Sequence, residues 1–554
     1  MKIEEVDSSE CELGLKPSDL SRNSLSIHAG GLHRRLGNRQ IQITAIGGTI
    51  GTAIFISIGQ SLITGGPGSL FLAFTLYSCV VGLVNNSLAE MSTFQPVAGG
   101  FIRLAGYWVD DALGFLAGWN FFFYEALLIP FEVTALTMVL SFWNKDVTDT
   151  GPSAAICVVS ILFYGCLNVL AVKYYGETEF WLSTGKLVLI FILFSFTFVT
   201  MVGGNPQHDA YGFRYWNIPG AFAEYRSTGS LGRFEGFLSC WWTAAFTISG
   251  PEFISMMAAE AKRPSIYLKS AFKTIYWRFL FFFSIGALAV GIVVPYNDPT
   301  LLDVYFGSGD GASTAAGSPY VIAMGNMGIS TLPHIVNALV MTSIVSAGNS
   351  YTYCATRSLY GLAIAGRAPR FLQYCTRQGV PVYCLAFVMM FPFLSFLQLS
   401  NSSAKVLGLL VNVITGGGMV TFIIVNITFL NYYQACKVQG VDRKTQPYYG
   451  YFQPYGSYIA LVIQFSIAIL YGYTSFSPFD ISSFFIHYIM QLIAIPLFLF
   501  WKHAKKTRYV HPAEVDLIWE RPLVDAYESS LSGAPQTFWG EILELVKLRS
   551  RKAE

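Results

Sequence analysis

The sequence carries little charge. Of its 554 residues only 12% are Asp, Glu, Lys or Arg, whereas an ordinary soluble domain has about 25%. Four stretches contain none at all: 40–89, 311–356, 406–436 and 445–479. So few charges exclude a soluble surface, a nucleic-acid-binding protein and a disordered chain. Because each charge-free stretch is long enough to cross a bilayer, the composition predicts an all-α membrane protein with many spans.

The sequence also lacks the arrangements on which disulfide scaffolds, metal sites and enzymes depend. Its nine cysteines lie mostly inside apolar stretches, with no CxxC pair and no metal-ligand spacing among them. It contains no P-loop, no Gly-rich dinucleotide turn and no nucleophile with a base at enzyme-like spacing. We therefore expect neither an enzyme nor a bound metal or cofactor, and no energy input from ATP.

Apolar runs bounded by charge, proline or glycine predict twelve membrane spans of roughly 20 to 25 residues. They are placed near 41–64, 68–92, 112–143, 154–173, 181–203, 236–260, 274–296, 331–356, 381–400, 403–430, 456–475 and 481–502. The first 40 residues show no cleavable signal, so we expect the first span to direct insertion. The predicted organisation is an N-terminal tail (1–40), a twelve-span domain (41–502) and a C-terminal tail (503–554).

The distribution of Lys and Arg predicts the orientation in the membrane. When both termini are placed in the cytoplasm, most basic residues near span ends fall on that side. The exceptions are Lys145, Arg214, Arg226, Arg233 and Lys405. Shifting the topology by one span would invert this bias. The sequence therefore predicts a multi-pass protein with both termini cytoplasmic.

Two predicted spans contain residues that interrupt a helix. The first span carries GGTIG at 47–51, and the sixth carries ISGPE at 248–252. Glycine weakens a helix and proline removes a donor, so backbone groups are released at membrane depth. Released N-H groups at a helix N-terminus suit a carboxylate, and released carbonyls suit an ammonium group. The alternative is that the glycines only allow helices to pack closely.

The spacing of the two interruptions carries further information. They lie five predicted spans apart, and an odd number of spans makes the second unit enter the membrane from the opposite face. Spans one to five and six to ten are therefore predicted to be inverted repeats, with spans eleven and twelve outside them. Repeats of this kind place a substrate site at the bilayer midplane and permit alternating access.

Ionisable residues inside spans are candidate functional groups because each is costly in hydrocarbon. Glu132 lies in the third span, and Glu125 precedes it by two helical turns on nearly the same face. Lys186 lies about five residues into the fifth span, where it either carries a proton or extends to the headgroups; depth alone favours the second. Glu252 is placed to brace the second interruption. Glu90, Glu260 and Arg278 fall near inner span ends and are expected in ion pairs.

The C-terminal tail contains one amphipathic segment. Residues 536–550 place aromatic and aliphatic side chains on one helical face. This pattern predicts a short helix on the membrane or on the inner surface of the protein, and a tail helix without direct function is the simpler interpretation.

Several short motifs together resemble one family. They are LGNRQIQ at 36–42 before GGTIG, GGP at 65–67, EM at 90–91, PVAGGF at 96–101, GWN at 118–120 with Pro130 and Glu132, GE at 176–177 through FW at 180–181 with Lys186, EA at 260–261 with Pro264, SA at 346–347 through NS at 349–350, SL at 358–359 with AP at 368–369, and PYG at 454–456. Between residues 33 and 510 the chain thus resembles the fungal amino acid permeases of the yeast amino acid transporter family, within the amino acid, polyamine and organocation superfamily.

The resemblance implies a twelve-span permease that imports amino acids with protons across the plasma membrane. It implies that the first interruption holds the substrate carboxylate and the second its amino group. The substrate-binding residues are then Gly48, Thr49, Ile50, Gly51, Thr52, Phe246, Thr247, Ile248, Ser249, Gly250 and Glu132. The resemblance also implies that Lys186, with Glu132, couples transport to protons, which replaces the headgroup interpretation of Lys186. The expected partners are an amino acid, protons and lipid, without nucleic acid.

Departures from the family pattern fall near the expected pocket. Ala53 replaces a frequent glycine, Pro251 a frequent threonine, and Ile248 and Glu125 stand where aromatic residues are common. These changes leave the side-chain preference of the pocket open.

An alternative function on the same fold is a sensor that binds amino acids without transporting them. Sensors of this type tend to have long N-terminal extensions, whereas only about 40 residues precede the first predicted span here.

Overall fold

A computed structural model describes residues 34, 36–49, 51–169, 172–306, 318–376, 379–401, 403–476, 478–531, 537–538 and 540–541. These residues form helices joined by short segments. Within them the only strand-like pairings are two isolated bridges, Leu36 with Ala261 and Phe476 with Phe479. The predicted all-α class is confirmed.

The longer helices follow one another along the chain. They are α1 (Asn38–Thr49), α2 (Ile58–Phe94), α3 (Gly100–Trp108), α4 (Asp111–Leu140), α5 (Thr150–Val169), α6 (Val172–Met201), α7 (Gly229–Thr247), α8 (Pro251–Met256), α9 (Pro264–Arg278), α10 (Ile285–Val293), α11 (Pro299–Phe306), α12 (Pro319–Asn326), α13 (Leu332–Ile364), α14 (Val382–Val388), α15 (Ser403–Val438), α16 (Tyr455–Leu470), α17 (Ile481–Lys505) and α18 (Arg521–Ser530). A π-helical turn at Phe279–Ser284 joins α9 to α10, and a 3-10 segment at Phe391–Leu399 follows α14.

Nine helical stretches of the described chain are long and apolar enough to cross a membrane, three fewer than the twelve predicted spans. The first and sixth predicted spans are interrupted. Helices α1 and α8 are too short to qualify, and α7, which has 19 residues, contains Arg233 and Glu235 and is not apolar enough. The eighth coincides with α13, which has 33 residues but is rich in Ser, Thr and Asn. Several of these polar side chains are buried between helices rather than facing lipid.

Helix α2 contains a sharp kink where the first and second predicted spans meet. Gly66 has φ 76°, ψ 171°, and Pro67 follows it. The loop at 221–223 clamps this point, because Ala223 N-H donates to Gly65 O at 3.0 Å and Gly68 N-H donates to Ala221 O at 2.7 Å. A side chain at Gly66 would come within 2.7 Å of Ala223 N. Only glycine meets both the positive φ and this close approach.

Charged residues near the predicted inner span ends form buried contacts. Glu90 accepts two hydrogen bonds from Arg443, at 2.6 and 2.7 Å, and Glu260 pairs with Arg357 at 2.8 Å. The expected ion pairs of Glu90 and Glu260 are therefore present, but they are buried rather than superficial. Arg278 instead donates to neutral oxygens, among them Gln42 O at 3.2 Å and Thr274 Oγ1 at 2.9 Å, so the prediction of an ion pair there is wrong.

The C-terminal tail packs on one end of the helical bundle, here called the tail face, where α1, α4 and α9 begin. Val510 N-H donates to Val109 O at 2.8 Å, and Trp108 Nε1 donates to Asp516 O at 3.2 Å. Most of the predicted amphipathic segment at 536–550 lies outside the described residues. The part that is described, around Glu541, contacts the start of α1. The tail thus rests on the protein in the part that the structure describes.

Candidate binding site

The first interruption lies at the end of α1. Gly48 and Thr49 form the last turn of α1, Ile50 lies outside the described residues, and Gly51 is extended, with φ −85° and ψ −179°. A short 3-10 turn at Thr52–Ile54 follows before α2 begins. The sequence predicted an interruption within 47–51, and the chain leaves the helix only at its end. Backbone groups there have left the helical hydrogen-bonding pattern.

The second interruption lies between α7 and α8. Helix α7 ends at Thr247, Ile248 is extended with φ −93° and ψ 100°, and Gly250 has φ 138° and ψ −37°. Gly250 N-H donates to Glu252 Oε2 at 3.1 Å. Glu252 therefore braces the interruption, as the sequence predicted. Phe246, Thr247, Ile248 and Ser249 are all buried here.

Glu132 contacts the first interruption directly. Its carboxylate accepts from the hydroxyl of Thr52 and from the Thr52 backbone N-H. Its other oxygen, Oε1, has no hydrogen-bond partner among the described residues, although the side chain is fully buried. A Cβ on Gly51 would lie 2.7 Å from the Tyr351 hydroxyl and 3.8 Å from Glu132 Oε1. Because Gly51 has no side chain, the Tyr351 hydroxyl and the Glu132 carboxylate both lie close to the non-helical backbone at Gly51.

The neighbour of Glu132 contacts the second interruption. The ring of Phe131 packs edge-on against Phe246, with centroids 5.2 Å apart and planes at 75°. Phe246 is the penultimate residue of α7. Two consecutive residues of α4, Phe131 and Glu132, therefore join the two interruptions. The predicted residues at 51–52, 132 and 246–250 come together in one region.

Lys186 lies fully buried on α6. It is within electrostatic range of Glu132 and of Glu179, which lies two turns earlier on the same helix. A side chain that reached the headgroups would be exposed at its tip. The burial of Lys186 therefore contradicts the headgroup interpretation and leaves the amine among protein groups.

Glu179 organises a polar cluster that the sequence analysis missed. Its carboxylate accepts from Ser183 Oγ at 2.8 Å and from Asn349 Nδ2 at 3.3 Å, and also from the Ser346 hydroxyl. Asn168 Nδ2 donates in turn to Asn349 Oδ1 at 2.9 Å. Glu179 precedes Lys186 by seven residues, so both side chains lie on one face of the helix. This spacing is the sequence signal that could have identified Glu179.

The site therefore combines non-helical backbone at two interruptions with the buried carboxylate of Glu132 between them and the buried amine of Lys186 nearby. This set of groups can bind a small zwitterion and can exchange a proton inside the protein. Among the described residues no group of three or more His, Cys, Asp or Glu side chains is placed to hold a metal ion.

The backbone at Gly250 gives a test of the second interruption. A φ of 138° with ψ −37° is accessible to glycine and strained for alanine, by about 1 to 3 kcal/mol. We expect Gly250→Ala to lower the midpoint of thermal unfolding of the purified protein in detergent. Gly165→Ala is the matched control, because it lies in a helix and an added Cβ would come no closer than 3.7 Å to a neighbour. Equal midpoints for the two variants would contradict this backbone geometry.

Comparison with known proteins identifies the family of the chain. The family model described as "Amino acid permease" matches residues 40–511. The chain is 41% identical to the general amino acid permease AGP2 of Saccharomyces cerevisiae, covering 89% of this chain and 83% of that protein. It is 36% identical to the dicarboxylic amino acid permease of the same organism, covering 90% and 81%. Among solved structures, the nucleobase-cation-symport-1 transporter MHP1 aligns with 82% of this chain and 96% of its own, at 14% identity and TM-score 0.45. From the family match and these identities, the chain belongs to the amino acid permease family.

Proposed function

We propose that this protein imports amino acids with protons across the plasma membrane by alternating access. The observation that carries the proposal is the junction of the two helix interruptions at Phe131 and Glu132. A membrane protein tolerates open backbone at depth where it lines a cavity or meets a ligand. Two such segments joined by a buried carboxylate form a site suited to a molecule with both a carboxylate and an ammonium group.

Each end of the substrate has a counterpart in the site. The non-helical backbone at Gly51 offers its N-H group to the substrate carboxylate, and the backbone at Ile248 and Ser249 offers carbonyls to the amino group of the substrate. Glu132 Oε1, which has no partner among the described residues, is available to the amino group. Phe246 and Thr247 complete the wall.

Proton coupling is assigned to Lys186 and Glu132. Both are buried, and they lie within electrostatic range of each other. A proton that moves onto or off either group changes the charge beside the substrate, which couples substrate binding to the proton gradient. Glu179 is also within electrostatic range of Lys186 and supplies a second buried carboxylate to hold the amine in place.

The proposed architecture is a twelve-span protein with an inverted repeat of five spans, followed by two further spans. The two interruptions would open the two repeats, and rocking of one bundle against the other would expose the site alternately. The excess of Lys and Arg on one side supports cytoplasmic termini. A sensor that binds without transport finds no support among the relatives named above, which are described as permeases.

The proposal is tested by uptake of labelled amino acids in cells that lack their own permeases. We expect uptake of at least one amino acid, and faster uptake at lower external pH because protons enter with the substrate. Surface expression is quantified in parallel. Absence of uptake across the whole panel, with normal surface expression, would overturn transport and restore the sensor alternative.

The role of Lys186 is tested with Lys186→Ala. Removing the buried amine takes away a group that changes charge beside Glu132, so we expect the dependence of uptake on external pH to weaken several-fold. Lys437→Ala is the control, since Lys437 is an exposed lysine in the last turn of α15. A pH profile for Lys186→Ala that matches that of Lys437→Ala would remove Lys186 from the coupling mechanism.

A further inference from the structure

Two buried carboxylates remain outside the mechanism above. Glu125 on α4 is 0% exposed and Glu252 on α8 is 1% exposed. Neither oxygen of Glu125 has a hydrogen-bond partner among the described residues. A buried carboxylate without a partner is costly, and a ligand that binds the carboxylate removes that cost. Glu125 is also one of the positions at which the sequence departs from the family pattern.

Both carboxylates lie next to the proposed amino acid site, toward the tail face. Glu125 precedes Glu132 by seven residues, which is about 10 Å along α4. Glu252 follows the second interruption by two residues. Glu125 and Glu252 are within electrostatic range of each other, and Tyr351 is within range of both and of Glu132. All three carboxylates are therefore within electrostatic range of Tyr351.

No positive group of the described chain neutralises this pair. Two buried cations of the bundle are already engaged, since Arg357 pairs with Glu260 at 2.8 Å and Lys186 is within electrostatic range of Glu132 and Glu179. The ion pairs among the described residues include neither Glu125 nor Glu252. Two close carboxylates without a counter-charge repel each other, and a cation between them removes that cost.

We propose that Glu125 and Glu252 form a side-chain subsite that binds the positive group of a cationic amino acid, such as an ammonium or guanidinium. With the zwitterion held at the interruptions, a long side chain directed along α4 brings its positive end to Glu125. An anionic side chain would meet two like charges at the same place. The inference rests on the proposed transport function and specifies its substrate class, which the relatives leave open because their names include both a general and a dicarboxylic permease.

The test compares arginine with citrulline, which has the same length and replaces the charged guanidinium by a neutral ureido group. Uptake of each labelled compound is measured in cells lacking their own permeases, for the unaltered protein, Glu125→Gln and Glu252→Gln. We expect the unaltered protein to favour arginine by at least about tenfold in kcat/KM, and the ratio to fall toward one in both variants. Glu514→Gln, an exposed glutamate of the tail, is the matched control and should retain the ratio.

The outcomes separate this inference from the proposed function. An unaltered protein that carries citrulline as well as arginine contradicts the subsite while transport stands. An arginine preference that persists in Glu125→Gln also contradicts it. If Glu125→Gln does not reach the cell surface, Glu125→Asp is measured instead. It keeps the negative charge on a shorter side chain, and it must lower the ratio of kcat/KM for arginine to that for citrulline. Absence of any uptake by the unaltered protein would instead overturn the proposed transport.

A second inference comes from the tail face, independently of the carboxylates. The described residues 507–531, 537–538 and 540–541 of the C-terminal tail, here together called the strap, contact the ends of several helices of the bundle. Arg103 of α3 pairs with Glu520 at 2.8 Å, and Tyr107 stacks on Trp519 with centroids 4.1 Å apart. Gln95, which follows α2, donates to Leu517 O at 3.1 Å. The strap therefore connects α2 and α3 before it reaches α1.

Two glutamates of the strap cap helices of the bundle. Glu541 accepts from the first two N-H groups of α1, Asn38 at 2.9 Å and Arg39 at 2.8 Å. Glu528 accepts from Ser265 N-H at 2.9 Å, in the first turn of α9. A carboxylate at a helix N-terminus satisfies free donors and interacts favourably with the helix dipole. Both caps come from a part of the chain that is remote in sequence.

We infer that the strap holds α1 against the tail face and so opposes opening of the site on that side. Leu36, just before α1, also bonds to the segment after α8, with Leu36 N-H donating to Glu260 O at 2.9 Å and Lys262 N-H donating to Leu36 O at 3.0 Å. Opening toward the tail face requires the start of the first interrupted span and the end of the second to separate. The inference rests on the proposed alternating access, because only then does α1 need to move.

The test uses Glu541→Ala in the full chain, with Glu514→Ala as the matched control in the same tail. Hydrogen exchange of purified protein should show faster exchange at the start of α1 in Glu541→Ala. Uptake per surface molecule at saturating substrate should rise at least about twofold, whereas a merely structural cap would leave it unchanged or lower it. Unchanged or reduced uptake in Glu541→Ala would overturn the strap. Absence of uptake by the unaltered protein would overturn the transport proposal itself.

Discussion

The contact between Glu132 and Thr52 is the constraint on which the candidate site depends. An interrupted helix inside an apolar bundle leaves backbone groups without partners, and such groups are stable only where other polar groups or a ligand meet them. Glu132 supplies one such partner to the first interruption, and the adjacent Phe131 fixes the position of the second through Phe246. Helix α4 therefore sets the distance between two segments that are far apart in sequence.

Buried charge is distributed in three groups around this junction. Lys186 and Glu179 lie on α6 beside serine and asparagine side chains of α13. Glu125 and Glu252 lie toward the tail face. The Glu260 and Arg357 pair lies beside Leu36, just before α1. The first and third groups contain both signs of charge. The second contains only negative side chains, which is why it points to a positive group from outside the chain.

The sequence predicted those features that depend on local composition. Apolar runs predicted the nine described helical stretches that are long and apolar enough to cross a membrane, and glycine with proline predicted both interruptions to within a few residues. It did not predict the partners of these features. Glu179, Tyr351 and the strap contacts depend on pairing between helices that are remote in sequence, and no single-sequence pattern records that pairing. The position of Lys186 shows the same limit, because depth alone favoured a headgroup contact and the packing of α6 instead buried the side chain.

The kink at Gly66 makes two parts of the chain that are distant in sequence constrain each other during evolution. The backbone of the loop at 221–223 lies so close to Gly66 that no side chain fits between them. A substitution at Gly66 is therefore tolerated only if the backbone of that loop has moved away. Conversely, the length of the loop can change freely only if the loop no longer contacts residue 66. Among relatives of this protein, the residue at position 66 and the length of the loop should vary together.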